Sequence, residues 1–163
     1  MAMEKGPFRR TVGLFATGIT VVTTRSGDVV HGMTANSFTS ISLDPTLVLI
    51  AVDNGAYMKE LLEVSGVFAV CVLGADQEPL ARYFSSSERP HGPHEFDGID
   101  YRQETTGAPI LNGAMAFVDC TVSQSVPAGD HTLYLGEVVD MGVGTPTKPL
   151  LYFRGKYRML DDV

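Results

Sequence analysis

The sequence predicts a mainly β protein, an antiparallel β-barrel with a few helices packed outside it. Three observations carry that expectation. Strand-like runs outnumber helical ones along the 163 residues. Tight turns such as Ser26-Gly27-Asp28 and Pro127-Ala128-Gly129-Asp130 join neighbouring runs, as antiparallel pairing requires. Residues 67–73 are continuously apolar, the pattern of a strand buried on both faces, whereas residues 114–126 alternate, the pattern of a strand with one face in water. Many strands joined by tight turns, with few helices among them, suggest an antiparallel barrel with those helices packed outside.

The elements follow in order. Phe8, Val12, Phe15 and Ala16 recur at helical spacing with Arg9 and Arg10 off that face, predicting a helix over 8–16 that Gly18 stops. Residues 19–24 are β-branched throughout and predict a strand that turns at Ser26-Gly27-Asp28 into residues 29–33. After Asp44-Pro45 a second strong strand covers 46–52. Asp53-Asn54-Gly55 breaks it and caps a helix over 56–64. The buried strand at 67–73 leads to a helix over 77–84. Residues 85–113 are irregular, with short anchors at Phe96-Asp97-Gly98-Ile99 and Ala108-Pro109-Ile110-Leu111. Residues 131–140 return against 114–126, with Leu133, Leu135 and Val138 expected on the core side. A linker at 146–149 precedes a last short strand at 150–153.

Bulk properties narrow the function. One domain spanning 1–163, with its core at about 8–158, buries roughly 70% of its unfolded surface and stands without disulfide or metal. A net charge of −7 argues against nucleic acid or an anionic membrane as partner. No apolar run approaches the ~20 residues that span a bilayer, and the N-terminus lacks an apolar signal-like segment, so the expectation is cytoplasmic. Cys71 and Cys120 sit in apolar runs and are expected as buried free thiols.

The chain is organised around residues 32–45. Two apolar runs flank a stretch of small polar residues that includes Thr34, Asn36, Ser37, Thr39, Ser40 and Ser42. A buried hydroxyl without a partner costs about 1–3 kcal/mol, so these groups meet water, backbone or a ligand. A polar loop and a cradle for a flat ligand both fit. Gly129-Asp130-His131 sits in a turn between two long strands, where an imidazole is either a surface group or aimed into a cleft. His91 and His94 are three apart with a proline between them and nothing nearby to complete a metal shell; their loop reads as solvated or as a lid. Gly-x-Ser-x-Gly and the glycine-rich phosphate loops are absent.

Taken together, Phe15-Ala16-Thr17-Gly18-Ile19-Thr20-Val21-Val22-Thr23, Thr34-Ala35-Asn36-Ser37-Phe38-Thr39-Ser40, Phe68-Ala69-Val70-Cys71-Val72-Leu73 with Gln77 and Phe84, Gly129-Asp130-His131 and Pro149-Leu150-Leu151-Tyr152-Phe153 resemble the flavin reductase family. These are the small reductase components of two-component flavin-dependent monooxygenases. The resemblance runs from about Phe8 to Tyr157. It implies a split β-barrel of Greek-key, FMN-binding type, a homodimer, a nicotinamide dinucleotide, FAD or FMN, and a monooxygenase that receives reduced flavin; the absence of an obvious basic residue for a ribose 2′-phosphate favours NADH over NADPH.

Residue by residue, the resemblance implies the following. Thr34, Ala35, Asn36 and Ser37 line the isoalloxazine and ribityl chain. Asp53, Asn54, Tyr57 and Lys59 match the ribityl and phosphate loop, with Lys59 either a phosphate partner or solvated. Cys71 stands where the family has Asn, at one flavin hydrogen bond. Arg82 and Phe84 end a helix beside the flavin, Arg82 as a phosphate partner and Phe84 as a wall or as ordinary core. His131 is the catalytic group on the nicotinamide face, which Tyr157, Phe153 and Arg154 complete. A split-barrel flavin-binding protein without reductase activity is the alternative. An enzyme of pyridoxamine-phosphate oxidase type would need a convergent basic phosphate pocket that the sequence does not display.

Overall fold

The computed structural model describes residues 4–145 and 147–160, so Pro146 of the expected linker lies outside the described residues. The strongest β-formers make the centre of a seven-stranded antiparallel sheet. Strand β2 (Thr20–Ser26) and the strand β6 (Val67–Val72) pair with each other, and the order across the sheet is β3-β2-β6-β9-β10-β5-β4. Here β3 is Val29–Ala35, β4 Thr39–Leu43, β5 Thr46–Asp53, β9 Ala116–Ala128 and β10 His131–Val143. Consecutive strands β3 and β4 lie on opposite edges, yet only Asn36, Ser37 and Phe38 separate them. Four Cα steps reach at most about 14 Å, so the sheet must curl until its two edges nearly meet. No ladder joins those edges among the described residues.

Two smaller sheets complete the β structure. One consists of β1 (Thr17–Gly18), β11 (Leu150–Phe153) and β12 (Lys156–Met159) in the order β1-β11-β12; the other pairs β7 (Tyr101–Gln103) with β8 (Pro109–Leu111). The curled sheet encloses one core around Val22, Ile50, Phe68 and Tyr134, capped by Met58 and Leu62 of helix α2 (Tyr57–Ser65). A second core lies outside it, where Val21, Cys71 and Leu73 meet Ile110 and Leu111 of β8 and Ala81 and Phe84 of helix α3 (Glu78–Ser85). Strand β6 is buried on both faces because it lies between these two cores.

Three elements differ from the sequence expectation. Helix α1 runs over Lys5–Val12 and buries no residue; Gly13 ends it, and Phe15 is 78% exposed beyond it. Pro7 is tolerated because the first turn of a helix has no partner for its N–H groups. Residues 32–45 are mostly strand, since β3 runs through Ala35 and β4 begins at Thr39. An exposed edge strand accepts small polar side chains on both faces, which hides it from a hydrophobic-period reading. In β10 the buried positions are Thr132, Tyr134 and Gly136; Val138 shares their face, but Leu133 and Leu135 lie on the other.

Candidate functional site

Strand β3 ends at the seam of the sheet, and its hydroxyls are largely consumed by backbone. Thr34 Oγ1 donates to Ala81 O at 2.7 Å, and Thr20 Oγ1 donates to Ala35 O at 2.8 Å. Ser37 Oγ donates to Ala51 O at 3.0 Å and accepts from Ala51 N–H at 3.1 Å, standing in for a strand partner just before β4 begins. These bonds fix the segment without filling the space beside it. A groove of about 200 Å³ opens there, lined by Ile19, Thr34, Ala35, Asn36, Ser85, Tyr152 and Tyr157. Tyr152 and Tyr157 pack edge-on at 5.8 Å, and the Arg82 guanidinium lies 4.9 Å above the Tyr157 ring.

The second group of polar residues gathers at the β9–β10 turn. Gly129 takes φ of +67°, which allows a turn only two residues long. His131 is paired in register with Asp53, so the turn and the end of β5 share one sheet end. Asn54 locks them together: its Nδ2 donates to Gly129 O at 3.1 Å and its Oδ1 accepts from Thr132 Oγ1 at 2.8 Å. Asp53 Oδ1 accepts from Gly55 N–H at 2.7 Å. His131 Nδ1 meets Asp130 Oδ1 at 2.8 Å; that bond holds the Asp130 carboxyl below its ordinary range and selects the tautomer protonated at Nδ1. Nε2 then remains as acceptor on a side chain that is 43% exposed. Ser37 links this group to the groove, because Ala51 lies two residues from Asp53, roughly 7 Å along the strand.

A buried ionic cluster holds the segment before the groove. Glu95 is fully buried; its Oε1 accepts from Gly32 N–H and Arg89 Nε, both at 3.1 Å, and its Oε2 meets His31 Nδ1 at 2.7 Å. Arg89 also donates to Gly32 O at 2.7 Å, and Tyr83 Oη to Glu95 O at 2.6 Å. Burial alone would raise the Glu95 pKa, but the bonds from His31, Gly32 and Arg89 outweigh it and hold the carboxyl below its usual value. His91, expected in a solvated loop or lid, is 47% exposed and sets its ring against His31 and Tyr57, with both ring centroids at 5.6 Å. Donor atoms of His31, His91 and Glu95 lie within 4.8 Å of one another, the Glu95 carboxylate being already shared among four protein groups. His94 points away and pairs with Asp97.

The structure therefore divides the expected site residues. Thr34, Ala35, Asn36 and Tyr157 face one groove, with Arg82 at its edge; Asp53, Asn54 and His131 form the turn group, and Ser37 joins the two. Tyr57 begins α2 against the histidines, while Lys59 is committed to Glu63 one helical turn on. Phe153 and Arg154 lie at the β11–β12 turn, stacked on each other at 5.2 Å.

Two expectations are corrected. Cys71 is fully buried in the outer core, its sulfur accepting from Leu111 N–H at 3.3 Å, and burial pushes its thiol to about 12; it offers nothing to a ligand. Phe84 is 1% exposed and lies against Gly32, so it is core and not a wall. A Cβ at Gly32 would fall 2.5 Å from the Phe84 ring. We therefore expect Gly32→Ala to cost about 1–3 kcal/mol in urea unfolding, with Phe84→Leu partly restoring stability in the double variant. Sequence reasoning missed Tyr152, Ser85 and the Glu95 cluster. Tyr152 lies two residues from the buried Leu150, hence on the same face of β11, and is readable by period; the cluster joins positions 64 residues apart and leaves no local signal.

A curled antiparallel sheet with few helices and a groove at its seam defines the class, a mainly β protein. The family model described as flavin reductase like domain matches residues 12–161, and the chain belongs to that family. An NADH-dependent FAD reductase of Streptomyces globisporus is 44% identical over 156 residues, covering 95% of this chain and 85% of that protein. BorF, the flavin reductase component of a bacterial two-component tryptophan halogenase, superposes with a TM-score of 0.92 at 39% identity, covering 98% of this chain and 100% of that one. The Streptomyces globisporus NADH:FAD oxidoreductase SgcE6, in complex with NAD and FAD fragments, gives a TM-score of 0.88 at 40% identity, over 95% of this chain and 92% of that one.

Proposed function

We propose that the chain is an NADH:flavin oxidoreductase that takes FAD or FMN as substrate and passes the reduced flavin to a partner monooxygenase. The observation that carries this reading is the groove beside residues 34–36, joined through Ser37 to the His131 turn. Small side chains at Thr34, Ala35 and Asn36 admit a flat ring close to the main chain, and Tyr152 and Tyr157 supply apolar faces opposite. Bound flavin accepts hydride at N5 from the nicotinamide, chemistry that belongs to the two ring systems and that the protein serves by alignment at about 3–3.5 Å. Residues 34–37 hold one partner. His131, fixed by Asp130, presents Nε2 to the other, orienting a carboxamide or handling the accompanying proton. Asp53 and Asn54 hold that turn in place; Tyr57, Lys59, Arg82, Phe153, Arg154 and Tyr157 supply the remaining contacts.

The finer architecture we propose is a single-domain split barrel of Greek-key connection, acting as a cytoplasmic homodimer. Support for the dimer is the apolar surface left uncovered by one chain, including Leu43, Met141 and Val143 at 92%, 69% and 85% exposure. No helix among the described residues is long and apolar enough to cross a membrane.

The test is NADH consumption at 340 nm with FAD, FMN and riboflavin offered in turn. Flavin-dependent oxidation with exchangeable flavin is expected. Tight flavin binding without NADH oxidation would leave a flavin-binding protein in its place.

A further inference from the structure

The protein is acidic overall, yet its cations are unevenly placed. Seven of its 12 lysines and arginines fall in residues 5–18 and 148–160, two segments that contain none of its 19 acidic residues. The fold brings these segments together: β1 pairs with β11, and Arg154 N–H donates to Gly13 O at 2.9 Å. Arg9, Arg10 and Arg154 line one hollow of about 470 Å³ at that junction. Among the described residues no carboxylate forms an ion pair with any of the three, whereas Arg82, Arg89 and Arg102 each have one. Three uncompensated guanidiniums around one concave surface form an anion site by charge and by donor geometry.

Arg154 carries a further mark. It is the one non-glycine residue with positive φ among those described, at +53°, followed by Gly155 at +74°. A two-residue turn with both φ positive favours Asn-Gly or Gly-Gly, and a long side chain there is held at some cost. The side chain that the turn retains is a guanidinium facing the hollow.

The hollow is not isolated. Through Arg9, Gly13 and Gly155 it continues into a neighbouring one of about 490 Å³ that includes Phe15 and Tyr152, and through Asn36 and Tyr152 that one continues into the groove beside residues 34–36. The path leads from a slot for a flat ring, past the exposed Phe15 ring and the half-buried Tyr152, to a cationic end. We propose that it is the subsite for the tail of a dinucleotide, with Arg9, Arg10 and Arg154 binding the diphosphate and Phe15 and Tyr152 offering faces to the adenine. The assignment rests on the flavin-reductase reading. The same chemistry is offered by FAD and by NADH, and the experiment separates them.

The test uses the full chain with Arg9→Gln and Arg10→Gln combined; α1 buries no residue, so the fold is not at risk. KM is measured for FAD and for riboflavin, and for NADH with riboflavin as acceptor. If the tail is that of FAD, the ratio of KM for FAD to KM for riboflavin rises about tenfold, and ADP inhibits wild type competitively against FAD but not against riboflavin. If the tail is that of NADH, its KM rises by a similar factor with riboflavin as acceptor while the flavin ratio stays put. Neither ratio moving, or riboflavin and FAD weakening together, overturns the subsite. Riboflavin-dependent NADH oxidation by wild type tests the parent reading separately. Arg154→Asn supplies an independent readout: Asn suits the turn, so Tm holds or rises while KM for the dinucleotide increases. A purely structural Arg154 would lower Tm and leave KM unchanged.

Discussion

Replacing His131 by alanine is expected to lower kcat/KM for NADH by about 10–100-fold while flavin affinity stays within about threefold. The imidazole is held by Asp130 on its own turn, and the turn is held by Asn54, so the side chain is presented by a fixed backbone and not by a mobile loop. Its Nε2 is accessible, whereas the groove residues that would contact flavin lie on β3, β11 and β12. Loss of the imidazole therefore removes a contact to the hydride donor and leaves the flavin slot intact. Stopped-flow reduction at varied NADH, paired with fluorescence titration of flavin, separates the two effects. Unchanged turnover with unchanged flavin affinity would remove His131 from the mechanism. Asn54→Ala should reproduce part of the loss, since it frees Gly129 O and Thr132 Oγ1 and lets the turn drift.

Glu95→Ala is expected to destabilise the protein by about 3–5 kcal/mol, because it leaves the largely buried Arg89 guanidinium without its counter-charge and His31 without its acceptor. For a chain of this length that corresponds to a fall in Tm of roughly 10 °C. The pH dependence has a definite sign. The folded-state Glu95 carboxyl titrates below its unfolded value of about 4.3, so its contribution is complete above that pH and disappears as pH falls through the folded value. The gap in unfolding midpoint between wild type and Glu95→Ala should be widest near neutral pH and narrow in acid. A gap independent of pH would mean that the cluster contributes by packing and not by charge. Because the same cluster holds Gly32 N–H and O, two residues before Thr34, the variant should also weaken flavin binding.

The sequence made the antiparallel β class legible because strand period and turn chemistry are local: residues 19–24 and 67–73 carry β-branched and continuous apolar patterns that few other structures accommodate. The ordered motifs around residues 34–37 and 129–131 were legible for the same reason, each being a short run with its own composition. Legibility failed where an outcome depended on what lies across the fold. Cys71 and Phe84 sit in motifs shared with the family, but which face of a strand or helix meets ligand is decided by the element packed behind it; β8 covers Cys71, and the close approach of Gly32 buries Phe84. The alternation in β10 runs one residue out of phase with the core side expected from Leu133 and Leu135, since side chains that are half-buried on an outer face look like core in sequence.

What the sequence determined by itself was a set of β elements, their turns and a family of motifs, all fixed by the conformational preferences of adjacent residues. What only the tertiary structure decided was partnership. Curling the sheet sets Ser37 against Ala51, two residues along β5 from Asp53, the register partner of His131. Folding the 85–113 segment back buries Glu95 under His31 and Arg89. Pairing β1 with β11 gathers Arg9, Arg10 and Arg154 around one hollow. Each of these joins residues far apart in the chain, and the energy that fixes them comes from burial and charge pairing across the fold, which no local run of residues records.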